Sequence, residues 1–147
     1  MLEEKIRELF KKNKGSFACS TLRSSNTVIF KVTEDGEGFV CDKGPAVYPF
    51  NKMDALEKEI KLIAKVDKQG KVYYGASAAR TSVRLGDDPW IENTINGIAA
   101  RRIFGKNDGD TVYDAATYLA AIMHAVGFAR MHAKDDTDAY ITLTGRF

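Results

Sequence analysis

The stretch that decides the fold is Thr111-Val112-Tyr113-Asp114-Ala115-Ala116-Thr117-Tyr118-Leu119-Ala120-Ala121-Ile122-Met123-His124-Ala125-Val126-Gly127, followed directly by Phe128-Ala129-Arg130-Met131-His132-Ala133. Its first four residues match the Ser/Thr-x-x-acid capping box that opens a helix. Val112, Ala116, Leu119 and Met123 then recur at helical spacing, and Gly127 is a natural C-terminal stop. From Phe128 the period changes to two. Phe128, Arg130 and His132 fall on one side of a strand, and Ala129, Met131 and Ala133 on the other. Lys134-Asp135-Asp136-Thr137-Asp138 is a polar loop, and Ala139 to Thr144 alternates again, with Ile141 and Leu143 facing one way. A helix followed by a β-hairpin is the expected outcome.

Upstream, Gly86-Asp87-Asp88-Pro89 reads as a helix entrance, with Asp88 as cap and Pro89 at the first helical position, where no N–H is needed. The spacing predicts a helix running to about Phe104, buried along Ile91, Ile95, Ile98, Ala99 and Ile103, with Gly97 marking a close approach of another helix and Gly105 ending it. In the first half, Leu2, Ile6, Leu9 and Phe10 form one stripe of a helix to about Asn13 that Gly15 ends. Thr27 to Val32 and Phe39 to Cys41 flank the turn cluster Glu34 to Gly38 as a hairpin. Asn51 is a candidate cap, with Asp54 three residues on, for a helix from about Lys52 to Lys65; Asp67 to Gly70 is a turn and Lys71 to Tyr74 a short strand. The expectation is one α+β domain over residues 1–147. Its N-terminal half, 1–75, is a mixed α/β-hairpin arrangement, and its C-terminal half, 76–147, is helix-helix-β-hairpin; the change of texture near Gly75 is a subdomain seam.

The order helix, short loop, helix, glycine, strand, charged loop, strand from Pro89 to Thr144 resembles the second half of winged helix-turn-helix domains. The resemblance covers the last third to two fifths of the chain and is one of topology. It implies a winged-helix-like fold and DNA binding, with Thr111 to Val126 as the helix laid in the major groove and Lys134 to Asp138 as the wing tip. The chain departs from the pattern there: Thr111 to Val126 carries no basic residue and offers Tyr113, Asp114, Thr117, Tyr118 and His124. Contact to nucleic acid then falls to Arg101, Arg102, Lys106, Arg130, His132 and Lys134, with Arg80 and Arg84 beside them.

Charge bears on this partner. The 147 residues hold 22 Lys+Arg and 20 Asp+Glu, a net +2. Split at residue 76, the first half has 14 basic and 11 acidic residues and the second has eight and nine, so the half that resembles a DNA-binding fold is not the basic one. It does hold six of the chain's eight arginines. Phosphate neutralisation needs a local basic face, not a global excess, so a clustered set of arginines suffices while a polybasic tail is excluded. Tyr73, Tyr74 and Trp90 offer stacking surfaces for bases, although aromatics at such positions more often serve the core.

Other functions find less support. Cys19 and Cys41 have no metal-ligand spacing and are too few for a disulfide framework. Pairing either with His124 or His132 as nucleophile and base needs no more than chance, Glu59-Ile60-Lys61 imitates the tail of a metal-dependent nuclease motif without its preceding acid, and Gly36-Glu37-Gly38 lacks a phosphate loop's further glycines and lysine. Catalysis is therefore not expected, and no metal or cofactor is implied. No run approaches the ~18 to 20 apolar residues of a membrane helix, and the first ten residues are charged, so a cytoplasmic location is the default. The alternative function is a non-catalytic interaction or homo-oligomeric module docking through the alanine-rich helix and the Leu2-Ile6-Leu9-Phe10 stripe.

Overall fold

The computed structural model describes residues 1–22, 27–75, 84–132 and 139–145. Lys134, the expected wing tip and Arg80 lie outside them. The architecture is α+β, with two antiparallel sheets and four α-helices among the described residues.

Helix α1 (Leu2–Lys12) buries Leu2, Ile6 and Phe10, the stripe its periodicity demands. It leads into a four-stranded sheet in the order β1-β2-β3-β4, formed by β1 (Ser16–Ser20), β2 (Thr27–Val32), β3 (Gly38–Cys41) and β4 (Val47–Pro49). The expected hairpin is β2-β3, paired through Phe30 with Cys41 and Val32 with Phe39. Strands β1 and β4 add to the expectation. The alternation that marks β1, Phe17 and Cys19 inward and Ser16, Ala18 and Ser20 outward, rests on a single large apolar side chain among small ones and does not stand out from a loop. Phe10, Phe17, Phe30, Phe39 and Phe50 pack ring to ring with centroids 4.7 to 5.9 Å apart, fastening α1 to the sheet; such pairs contribute about 0.5–1.5 kcal/mol each beyond their buried area.

A 3-10 turn, Phe50–Lys52, precedes α2 (Met53–Val66). Asn51 is not its cap. Asp54, the expected partner of that cap, turns away to α1, where its Oδ1 accepts the Glu3 N–H at 3.0 Å, while the buried Glu57 Oε1 accepts the Leu2 N–H at 2.7 Å. Helix α2 thus caps α1, an arrangement that favours carboxylates at a helix N-terminus.

The second sheet is three-stranded in the order β5-β7-β6, built from β5 (Val72–Tyr73), β6 (Ala129–His132) and β7 (Tyr140–Leu143). The expected second hairpin is β6-β7, and a strand from the first half joins its far edge. The apolar cluster at the centre draws on both halves: Leu2 and Phe30, Leu56 and Ile60 of α2, and Ile98, Ile122 and Ile141 all belong to it.

The long helix expected from Pro89 to Phe104 is two elements. Asp88 caps a 3-10 turn, Pro89–Asn93, through its Oδ1 and the Trp90 N–H, as its sequence position suggests. Thr94 then ends that turn and starts α3 (Ile95–Arg102), its hydroxyl donating to the Ile91 carbonyl and accepting from the Gly97 N–H. The close neighbour of Gly97 is this turn and not another helix: a Cβ there would lie 1.8 Å from the Ile91 carbonyl oxygen.

The helix expected from Thr111 starts later, as α4 (Ala116–Ala125). Thr111 instead bridges to Arg84, and the Ala116 N–H is capped at 2.8 Å by Oδ1 of Asn96 from α3. A side chain from another helix thus supplies the cap assigned to the local Thr-x-x-Asp box. At the other end Gly127 takes φ +79° and the Phe128 N–H returns to the Met123 carbonyl, the glycine-terminated close that the sequence predicts.

Candidate nucleic-acid interface

The register of the three-stranded sheet sorts its residues into two faces. Val72, Ile141 and Met131 lie abreast, as do Leu143 and Ala129, and this set points at the core. The intervening set, Tyr73, Tyr140 and His132 abreast with Thr142 and Arg130 beside them, points outward. Phe128 does not extend the outward set with Arg130 and His132 as the simple alternation implies; it sits in the turn after α4 and is buried. Of the two adjacent tyrosines, Tyr74 is core and Tyr73 faces out.

The outward rings make a continuous row. His132 stacks on Tyr140 with centroids 4.8 Å apart and planes 11° from parallel, Tyr140 lies 5.7 Å from Tyr73, and Tyr73 lies 6.3 Å from Trp90. Two further contacts hold the row in place. A His132 Nε2 to Thr142 Oγ1 hydrogen bond of 2.8 Å ties the imidazole diagonally across the hairpin, and the Lys71 ammonium sits 4.6 Å above the Tyr140 ring. Arg130 is exposed on the same face. Lys71, just before β5, and Arg130 on β6 therefore place positive charge on either side of the central β7.

Arg101, Arg102 and Lys106 come together elsewhere, around a depression of about 430 Å³ at the end of α3 that Glu59 and Glu92 also line. Arg101 pairs with both Glu92 and Asp108, which push its pKa further up, and its fork also reaches the Lys106 carbonyl. Arg102 pairs with Glu59 of α2 at 3.2 Å. Arg84 donates to the Gly109 carbonyl at 3.0 Å, beside its bridge to Thr111. The six residues expected to form one basic face thus divide: Arg101, Arg102 and Lys106 form a carboxylate-bearing cluster, Arg130 and His132 lie on the sheet, and Lys134 lies outside the described residues.

Residues that sequence reasoning did not assign complete the sheet side. Lys71 and Tyr140 were signalled by nothing more than strand alternation, because what makes them surface groups is the antiparallel pairing of β5 with the distant β7, in the register Val72 with Ile141 and Tyr73 with Tyr140. Beside Trp90 runs a groove of about 560 Å³ between α2 and the 3-10 turn, lined by the apolar Leu62, Val66, Tyr73 and Trp90 and by the charged Asp67, Lys68 and Lys71. Glu59 lines both this groove and the arginine cluster, so the two are neighbours.

Burial sets the chemistry of the thiols. It pushes the Cys19 pKa up to about 11 and raises that of Cys41, so both stay protonated near neutrality and are weak nucleophiles. Among the described residues no group of three or more His, Cys, Asp and Glu is placed to hold a metal ion, and no helix is long and apolar enough to cross a membrane.

No protein-family model matches the chain, and neither the curated proteins nor the solved structures give a match.

Proposed function

We propose that this chain is a small, non-catalytic nucleic-acid-binding protein of regulatory type, acting in the cytoplasm, whose contact surface is the outward face of the β5-β7-β6 sheet. The observation that carries the reading is the joint presence on one face of Lys71 and Arg130 with the row His132, Tyr140, Tyr73 and Trp90. Cations that contact phosphate and rings that contact bases or sugars are the two kinds of group such a surface needs. The helix-helix-hairpin order behind that face, α3-α4-β6-β7, supports the same reading through its likeness to winged helix-turn-helix domains. Helix α4 then serves as a packing helix, since Ala116 and the run from Leu119 to Met123 are buried.

The alternative, a homo-oligomeric or docking module, has most of the surface assigned to it turned inward. Leu2, Ile6 and Phe10, and Ala116, Ala120 and Ala121 of α4, are covered by the chain's own core, which leaves Leu9 partly exposed and Ala125 exposed.

Fluorescence anisotropy of labelled 20-nucleotide strands and duplexes, titrated at rising salt, tests the proposal. Each phosphate contact contributes about 0.7 (single strand) to 0.9 (duplex) to the slope of log K against log salt. A Lys71→Ala, Arg130→Ala double variant lowers the slope by about 1.4 to 1.8. Absence of binding to either nucleic acid at low salt overturns the proposal.

A further inference from the structure

The groove beside Trp90 deepens that reading and rests on it. Trp90 is the chain's one tryptophan and is 45% exposed, although it lies in a hydrogen-bonded turn: Asp88 accepts its N–H at 2.9 Å and Thr94 closes the turn behind it. The indole is therefore a large apolar plate, anchored at its backbone and half-exposed at the surface beside Tyr73. Across the groove, Leu62 and Val66 of α2 are 53% and 84% exposed, and Val66 sits where a polar residue would be the solvated choice. Isolated exposed apolar residues need no explanation, but three of them converging on one groove of about 560 Å³ mark a binding site.

Charge decides the occupant. Two carboxylates border the groove: Glu59 pairs with Arg102, and Asp67 is kept in its charged form by the N–H groups of Lys71 and Gln69 and by the Lys71 ammonium. Lys68 is in no ion pair among the described residues, while the Lys71 ammonium, which also lies over the Tyr140 ring, offsets the Asp67 carboxylate, so Lys68 is the groove's uncompensated cation beside its apolar side chains. Asn93, exposed on the same wall, adds an amide that can both donate and accept. A flat apolar ring carrying hydrogen-bonding edges and flanked by anions satisfies all of these features. Tyr73, which lines the groove, is also a member of the ring row, so the groove opens directly onto the sheet face already described.

We propose that this groove takes an unpaired base of a single nucleic-acid strand, stacked on Trp90, with the adjoining phosphates held by Lys68 and Lys71 and the strand continuing over the sheet towards Arg130. A base inside a duplex has both faces covered by its neighbours and cannot enter, so the surface selects single strands over duplex.

Because Trp90 is the sole tryptophan, its emission reports the groove directly. Titrating the full chain with a (dT)20 strand and with a 20-base-pair duplex, following tryptophan emission and oligonucleotide anisotropy together, gives saturable quenching by the single strand and at least about tenfold weaker binding of the duplex. Trp90→Ala weakens single-strand binding by about 5- to 100-fold, and Trp90→Phe, which keeps a ring, recovers most of it. If Trp90→Ala fails to fold, the Phe variant and Lys68→Ala, which lowers the single-strand salt slope by about 0.7, carry the test. Strand binding with unchanged Trp90 emission, or equal affinity for duplex, overturns the groove assignment while leaving the nucleic-acid reading standing. No anisotropy change with either oligonucleotide overturns both. A change of emission with protein concentration alone means that a second copy of the chain fills the groove, and this too overturns the assignment.

Discussion

Asn96→Ala removes a side chain that joins α3 to the segment leading into α4 and to Gly75, at the end of the N-terminal half. Asn96 is fully buried. Its Oδ1 accepts the Ala116 N–H at 2.8 Å, and its Nδ2 donates to the Gly75 carbonyl and to Asp114 Oδ1, each at 3.2 Å. Alanine orphans the Ala116 N–H in a buried setting, which costs about 1–3 kcal/mol, and strips one partner each from a carbonyl and a carboxylate that are partly solvated and lose about 0.5 kcal/mol apiece. The sum is about 3 kcal/mol, a large share of the roughly 5–15 kcal/mol that holds a domain folded. At this chain length it corresponds to a fall in Tm of about 9–12 °C. Urea denaturation followed by far-UV circular dichroism measures it directly. The companion variant Asn96→Asp separates hydrogen bonding from volume. Its carboxylate keeps the acceptor for Ala116 but faces Asp114 without a proton to donate, so its folded-state pKa rises above the unfolded value. The stability it lacks at neutral pH is then regained as pH falls towards that raised pKa, where the protonated group donates as the amide does. A loss below about 1 kcal/mol for Asn96→Ala, or an Asn96→Asp deficit independent of pH, refutes the account of Asn96 as the cap of α4.

Three further outcomes follow from the geometry. Gly97→Ala, which improves intrinsic helix propensity by about 1 kcal/mol, nonetheless destabilises the protein because the new methyl meets the Ile91 carbonyl; thermal unfolding with a Tm at or above that of the parent contradicts this. Asp54 is held below its ordinary pKa of 3.8 mainly by the Glu3 N–H, so it contributes stability that is present above that value and lost as pH falls through the lower folded-state pKa; Asp54→Ala flattens the acid limb of the stability profile measured by urea denaturation from pH 5 to 2. Cys19, with its pKa near 11, reacts with iodoacetamide at pH 8 many times more slowly than a free thiol, and adding denaturant removes the protection; equal rates with and without denaturant contradict the burial described.

What was legible in the sequence is what neighbours in the chain decide together. The stripe of α1, the β2-β3 hairpin, the Asp88-Pro89 entrance, the Gly127 stop and the β6-β7 hairpin each follow from a local period or a turn residue. The misplaced boundaries share a different cause. Helix α4 begins five residues after Thr111 because its first N–H is capped by Asn96 from α3, and Asp54 does not cap its own helix because it serves α1. A cap supplied from another element leaves no local trace. Thr94 is the exception, since a threonine with Gly97 three residues on is a readable cap that the continuous apolar stripe from Ile91 to Ile103 concealed.

The site divides along the same line. Arg130 and His132 were expected on one face by alternation, and the strand places them so. Arg101 and Arg102 were expected among the nucleic-acid contacts, and nothing in the spacing of Glu59, Glu92 and Asp108 shows that the fold brings these carboxylates to them. Lys71 and Tyr140 become surface neighbours through a sheet pairing between the two halves of the chain.

The most direct test of the account is a map of backbone amide shifts by 1H-15N NMR as a short single strand is added at low salt. The account predicts shifts concentrated at residues 68–73, Trp90 and Asn93, and along β6 and β7 at Arg130, His132, Tyr140 and Thr142, with α4 unmoved. Shifts centred on α4, or on the four-stranded sheet, or no shifts at all, would contradict it.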